Sequence, residues 1–218
     1  MQNVLNFLSQ LKKNNNREWF NANKDLYEAA LEEFKSFVQS VHQEISKSDL
    51  IEPAKIFRLY RDMRFSKDKT PFKTNFGALF MRMKPGKGGY YLHIQPDNSF
   101  AGGGFWRPEK EELFRIRKEF ELNPTDIKKI TKGAAFKKHF GEIKGDELKS
   151  VPNGFDKEAE AADLIRKKEF ILMKNYADKE VAAPDFNKEV LTVFKAERPF
   201  LDYMSEVLST DLNGEPVE

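Results

Sequence analysis

The spacing of apolar residues changes from helical to strand-like near residue 50. In two stretches they recur every three or four positions, which predicts a short helix over residues 3–12 and a long amphipathic helix over residues 24–45. Asn23 lies where the N-cap of the second helix would be. Glu52 and Pro53 end this pattern, and apolar and polar residues alternate from residue 55 onward, as in a strand with one buried face.

The alternating region predicts four successive strands over residues 55–65, 76–83, 89–95 and 99–103. Short turns with Gly, Pro, Asp and Asn separate most of them, so the strands should form an antiparallel meander. Helical spacing then predicts helices over residues 108–120, 124–130, 156–168 and 185–208, and residues 169–175 are typical of one more strand. Residues 133–155 have an irregular pattern.

These elements predict an α+β fold, in which an antiparallel β-meander of about four or more strands packs against N-terminal and C-terminal helices. We expect a single domain over residues 1–218. It would comprise a helical part over residues 1–50, the meander over residues 55–104, a mainly helical part over residues 108–208 and a tail over residues 209–218.

Composition narrows the classes of protein to consider. The 218 residues include 20 phenylalanines, which can supply a core, and no cysteine, which excludes disulfides, thiolate metal sites and cysteine nucleophiles. The N-terminus lacks the pattern of a signal peptide, and no apolar run reaches membrane-spanning length. We therefore expect a cytoplasmic protein without membrane partners. No metal motif and no cofactor is predicted, and the oligomeric state stays open.

Positive charge is concentrated in one segment, residues 55–73. Seven of its positions are Lys or Arg and only Asp62 and Asp68 oppose them, so the segment carries +5 while the rest of the chain sums to −3. The basic residues are interleaved with apolar ones, which indicates arginines held beside a buried face rather than a solvated run. Such an arrangement is either an anion site or an internal ion-pair network.

Pairing of the predicted strands suggests where an anion would bind. If Met83 pairs with Tyr90, apolar residues share one sheet face, and His93 then lies opposite Gly102 around the next turn. The other face would hold the basic and aromatic residues beside a hollow lined by glycine. The candidate ligand-binding residues are Arg58, Tyr60, Arg64, Lys73, Arg82, Tyr91, His93, Gly102 and Gly103.

Three functions remain open at this stage. The first is binding of a small phosphate- or carboxylate-bearing ligand on this face, with His93 as the candidate catalytic group if there is a reaction. The second is a structural or partner-binding protein whose basic strand is an internal ion-pair scaffold, with His93 as a hydrogen-bonded filler and Arg61 as a core strut. The third, nucleic-acid binding, ranks last because the net charge is only +2. The sequence does not establish whether the protein is an enzyme.

Three segments carry a family resemblance. They are Arg17-Glu18-Trp19-Phe20 with Asn23-Lys24 and Tyr27, the stretch IFRLYRDMRFSKDKTPFKTNFGA from residue 56, and GYYLHIQPDNSFAGGGFWRPE over residues 89–109. Together they resemble the DUF2461 family, specifically across residues 14–120 and more loosely to the end of the chain. The resemblance implies one domain along the whole chain. It implies no reaction and no catalytic residues.

Overall fold

A computed structural model describes residues 1–62, 69–84, 88–211 and 215–216 of the chain. Nine helices and five strands occur in this described part. The helices are α1 (Gln2–Lys13), α2 (Arg17–Ala22), α3 (Lys24–Ile45), α4 (Lys110–Leu122), α5 (Pro124–Lys132), α6 (Ala134–His139), α7 (Ala162–Ile165), α8 (Asp178–Val181) and α9 (Phe186–Ser209). The strands are β1 (Lys55–Ile56), β2 (Phe76–Met81), β3 (Gly89–Ile94), β4 (Ser99–Phe105) and β5 (Phe170–Tyr176).

The five strands form one antiparallel sheet in the order β1-β2-β3-β4-β5. This confirms the predicted α+β fold with a meander and with helices towards both ends of the chain. The first strand is much shorter than predicted, because β1 pairs with β2 only through Lys55↔Leu79 and Ile56↔Ala78. Beyond β1, Tyr60 pairs with Phe72 through an isolated antiparallel β-bridge. The predicted strand residues 63–65 lie outside the described part.

Further along the chain, the strand predicted over residues 169–175 is confirmed as β5, and α4, α5 and α9 lie where helices are predicted. Pro199 lies inside α9 without ending it. The helix predicted over residues 156–168 is wrong in length, since only α7 forms there. Two short helices, α6 and α8, were not predicted, because each is too short to show a helical period in the sequence.

The chain divides into two compact units, of which the first comprises residues 1–80, 91–101 and 175–192. Its core is rich in aromatic side chains. Phe7 projects from the buried face of α1 and its ring lies 5.6 Å from Tyr27 and 6.2 Å from Phe76. Phe20 stacks on Phe72 at a centroid distance of 4.2 Å. These contacts join α1, α2 and α3 to the segment that leads into β2, because each element contributes at least one ring.

Three of the asparagines that follow α1 have separate roles. Asn15 binds the backbone of Phe72 twice: its Nδ2 donates to the carbonyl oxygen at 2.9 Å, and its Oδ1 accepts from the amide at 3.2 Å. Asn16 caps α2 by accepting a hydrogen bond from the Trp19 amide at 2.8 Å. Asn23 precedes α3 as predicted, but its side chain donates to the Trp19 carbonyl and does not cap α3.

Replacing Asn15 by alanine is expected to lower the free energy of unfolding by about 1–3 kcal/mol, because the Phe72 amide loses its partner and the Phe72 carbonyl keeps only the hydrogen bond from Arg61. Urea denaturation monitored by circular dichroism measures this. Asn14→Ala is the matched control, since that side chain is exposed and binds only the Gln10 carbonyl; its effect should stay within about 0.5 kcal/mol. Equal losses in the two variants would contradict the role of Asn15.

The second unit comprises residues 81–90, 102–174 and 193–218. Its core is again largely aromatic: Phe120 meets Phe170 edge to face at 5.6 Å, and Tyr90 lies 4.8 Å from Phe194. The first turn of α4 is closed by the amide of Glu109, which donates to the Glu112 carboxylate at 2.8 Å.

Candidate functional site

Four half-buried rings of the first unit form a continuous surface, which we call the aromatic face: Phe57, Tyr91, His93 and Phe100. Tyr91 lies at its centre, 6.2 Å from Phe57 and 5.8 Å from Phe100. His93 stacks on Phe100 at 4.7 Å with an interplanar angle of 10°. Aromatic rings that keep part of their surface open to solvent are a common component of ligand sites.

Hydrogen bonds fix the orientation of His93. Its Nε2 lies 2.9 Å from Oε1 of Gln95, and its Nδ1 lies 3.4 Å from both the Tyr91 hydroxyl and Nδ2 of Asn75. Because the Gln95 oxygen can only accept, we assign the proton to Nε2 and an acceptor role to Nδ1. Burial lowers the pKa of His93, and the hydrogen bond to Gln95 opposes this only in part. His93 is therefore a neutral, oriented imidazole near neutral pH.

The predicted strand registers are wrong. His93 faces Phe100 rather than Gly102, because a tight turn closes with the Asn98 amide bonded to the Gln95 carbonyl at 2.9 Å. Ser99 adds to this closure by accepting from the Gln95 amide at 3.0 Å. In the preceding hairpin the Arg82 amide donates to the Gly88 carbonyl at 3.2 Å, so Arg82 does not pair with Tyr91 as predicted. Turn length decides register, and the sequence does not specify it.

Two lysines border the aromatic face at Phe57. The ammonium groups of Lys55 and Lys73 lie 5.6 Å and 5.9 Å from the centre of its ring. Neither lysine forms an ion pair with any residue that the structure describes, and the same holds for the exposed Arg58 next to Phe57 in sequence. Cations next to a half-buried ring and away from carboxylates leave a local excess of positive charge.

Gly77 makes room for the central ring. A Cβ atom at this position would lie 2.5 Å from the Tyr91 hydroxyl, so a larger residue would require the Tyr91 ring to move. Burial raises the pKa of Tyr91, which keeps the hydroxyl protonated and able to donate a hydrogen bond.

The side chains of the basic segment, residues 55–73, do not follow the two strand faces that the alternating pattern predicts. Tyr60 was expected on the face of Tyr91, but its ring contacts Phe20 and Phe72 at 5.8 Å and 5.2 Å. The alternation fails because β1 ends at Ile56, so period-two spacing does not extend to residue 60. Arg61 donates from Nε to the Phe72 carbonyl at 3.1 Å, in keeping with its predicted structural role. Arg64 lies outside the described residues.

Three predicted site residues, Arg82, Gly102 and Gly103, belong to the second unit. The Arg82 guanidinium is buried and donates through Nη2 to Asp202. Lys84 also reaches Asp202 at 2.8 Å, and Nε of Arg198 lies 3.8 Å from its other oxygen. Burial by itself would raise the pKa of Asp202, but hydrogen bonds from Lys84 and Arg82 outweigh it and the pKa is lowered. Arg82 therefore belongs to an internal ion pair and does not line an open anion pocket.

The hollow predicted beside Gly102 and Gly103 is not open, because Glu197 of the second unit occupies the space beside Gly103. Oε1 of Glu197 lies 2.8 Å from the point where a Cβ of residue 103 would be. Glu197 is fully buried, and neither of its oxygens makes a hydrogen bond with the described residues. Burial raises its pKa well above the ordinary value, although the positive charge of Arg82 opposes this. Burial thus favours the protonated, neutral form of Glu197.

The sequence did not predict Lys55 and Phe57 at the aromatic face, nor Glu197 beside Gly103. A signal for Glu197 is present: it falls between Phe194 and Leu201 on the apolar stripe of α9, where a charged residue stands out. Lys55 and Phe57 alternate with Ile56 across the short β1, but the pattern alone does not tell which face of the sheet is open.

Two further findings concern metal binding and membrane spanning in the described part of the chain. No cluster of three or more His, Asp or Glu side chains suited to a metal ion occurs among these residues. None of the helices formed by them is long and apolar enough to cross a membrane.

The fold and these clusters define an α+β protein with a helix-flanked antiparallel meander and a half-open aromatic face. Comparison with known proteins then supplies the family: the model of DUF2461, described as a conserved hypothetical protein, matches residues 3–203. The chain belongs to the DUF2461 family. No curated protein and no solved structure matches it.

Proposed function

We propose that the first unit binds a small anion, carrying a phosphate or carboxylate group, at Lys55 and Lys73 beside the aromatic face. One observation carries the proposal: two ammonium groups lie 5.6 Å and 5.9 Å from the same half-buried ring, and no acidic partner occupies either among the described residues. An anion there would meet two cations beside a half-buried ring, where ion pairing is stronger than in bulk water.

The surroundings add hydrogen-bond donors and little competing charge. Tyr91 keeps its hydroxyl proton because burial raises its pKa. His93 is neutral, and its Nε2 proton is already directed at Gln95 at 2.9 Å. Both nitrogens of His93 have protein neighbours within 3.4 Å, so we assign it an orienting role; the proposal is one of binding and names no reaction.

The test is a binding measurement on the intact protein. Inorganic phosphate should raise the melting temperature and show saturable binding by calorimetry at constant ionic strength. In the double variant Lys55→Gln/Lys73→Gln the affinity should fall roughly tenfold or more, because two charge-assisted contacts are lost. Lys149→Gln/Lys157→Gln, which removes the same charge from the second unit, is the matched control and should bind like the parent.

Equal weakening in the control pair would mean that phosphate senses only net charge, and the proposal would fail. It would fail equally if neither phosphate nor a panel of small phosphate- and carboxylate-bearing compounds bound the parent protein. The competing interpretation, an internal ion-pair scaffold, draws on Arg61 and Arg82, whose guanidinium groups have protein acceptors. It predicts that Arg61→Ala or Arg82→Ala lowers stability and that the lysine variant binds phosphate like the parent, so stability and binding measurements separate the two.

A further inference from the structure

The aromatic face has more apolar ring surface than an inorganic anion could use. Its four rings are all half-buried, and successive ring centres lie 6.2, 5.8 and 4.7 Å apart from Phe57 to His93. Apolar surface left in contact with water can contribute about 25 cal/mol per Å² when a ligand covers it. Phosphate alone would leave that contribution unused.

The row of rings begins at Phe57, beside the two lysines, and extends away from them. Lys55 and Lys73 are at the Phe57 end, Tyr91 is in the middle, and Phe100 covers His93 at the other end. Since one side of the imidazole is taken by Phe100, Tyr91 is the ring on which a further planar group can pack. Tyr91 packs closely on Gly77 on its inner side, so a ligand ring would approach it from the solvent side.

We propose that the anion bound at Lys55 and Lys73 is attached to a planar ring, and that this ring packs on Tyr91. The inference rests on the proposed function and narrows its ligand class to aryl or heteroaryl phosphates and carboxylates. The anionic group lies at the lysines, and the ring extends over Tyr91 toward Phe100. Offset stacking of two rings and burial of their faces supply the additional affinity.

A free small molecule fits these observations better than a nucleic-acid strand. Two lysines border the face, whereas strand binding uses a charged groove that follows several phosphates. The chain as a whole is close to electrically neutral, with 37 basic and 35 acidic residues. Binding of one phosphate next to one ring needs no more charge than the face provides.

The experiment compares phenyl phosphate with inorganic phosphate on the intact protein at equal pH and ionic strength. Phenyl phosphate should bind about tenfold more tightly, the factor expected for one stacked ring. Tyr91→Leu keeps an apolar side chain but removes the ring, so it should abolish the preference and keep phosphate binding. Tyr91→Phe should retain the preference, which guards against a mere loss of folding. Phe114→Leu, at an exposed ring of the second unit, is the matched control and should change neither affinity.

The possible outcomes are distinguishable. Equal affinities for the two compounds, both lost in Lys55→Gln/Lys73→Gln, would overturn the inference and leave the proposed function standing. Absence of binding by both compounds would overturn both. Tighter binding of a single-stranded oligonucleotide than of phenyl phosphate, with a steep salt dependence, would overturn the small-molecule class in favour of nucleic acid.

Discussion

Glu197→Gln is expected to gain stability relative to the parent as the pH rises above about 4.3, the ordinary pKa of a glutamate, with a difference that grows by up to about 1.4 kcal/mol for each further pH unit until the folded pKa is reached. At about pH 3, by contrast, the two proteins should differ only by a small constant offset, because the acid is protonated in both the folded and the unfolded state there. Glutamine has nearly the same shape as the protonated acid but cannot ionise. The change therefore isolates the proton of Glu197.

The sign follows from the environment of Glu197. Burial raises its pKa in the folded protein well above that in the unfolded chain. Between the two values, the unfolded chain releases a proton that the folded protein retains, so every rise in pH favours unfolding. The stability associated with this group is thus fully present below the unfolded pKa and is lost as the pH rises toward the folded pKa. The glutamine variant does not have this loss.

The measurement is a series of urea denaturation curves across this pH range, reported as the difference between variant and parent so that all other titrating groups cancel. Glu206→Gln makes the same change at an exposed position of α9 and should give a nearly constant difference. The outcome against the prediction is a difference in unfolding free energy between Glu197→Gln and the parent that is the same at every pH. Glu197 would then be ionised in the folded protein, with its charge fully compensated by Arg82.

Gly103→Ala should produce a large loss of stability, about 3 kcal/mol or more. The added Cβ would overlap the Gly89 carbonyl oxygen and would also lie 2.8 Å from Oε1 of Glu197. The first neighbour is backbone within β3, which cannot yield as a side-chain tip can. A second substitution that shortens Glu197 should therefore not restore stability.

Gly141→Ala separates steric overlap from backbone strain. Gly141 has a φ of 72°, and a Cβ there would have no neighbour within 4 Å. Its replacement should cost about 1–2 kcal/mol through the left-handed conformation alone. A loss at Gly103 no greater than at Gly141, measured by the same denaturation assay, would show that β3 and β4 move apart to accept the methyl group.

The N-terminal helices α1 and α3 could be predicted because the apolar pattern that forms them depends only on residues close together in the sequence. The apolar stripes of α1 and α3 follow the helical repeat, and the observed helices agree with the predicted ones within about two residues, the usual uncertainty of helix ends. The strands of the meander were also predicted, since alternation and turn residues are visible in one sequence. The lengths of the turns were not, and they decide which side chains meet across a hairpin.

The candidate site shows the same division between local and non-local causes. Lys73, Tyr91 and His93 were predicted as neighbours and lie in the first unit with Phe57. Arg82 was assigned to that face through a register that the Arg82–Gly88 hydrogen bond excludes. The acid that fills the space beside Gly103 comes from α9, far along the chain, and no local pattern links the two positions.

The stacking of Phe100 on His93 has a consequence for magnetic resonance. An aromatic ring lying nearly parallel to the imidazole at 4.7 Å shields the carbon-bound protons of His93 through its ring current. The chain has only three histidines, so the shielded signals of His93 stand apart from the other two sets. They give the aromatic face a native reporter, since any ligand that covers Tyr91 adds its own ring current to the same protons.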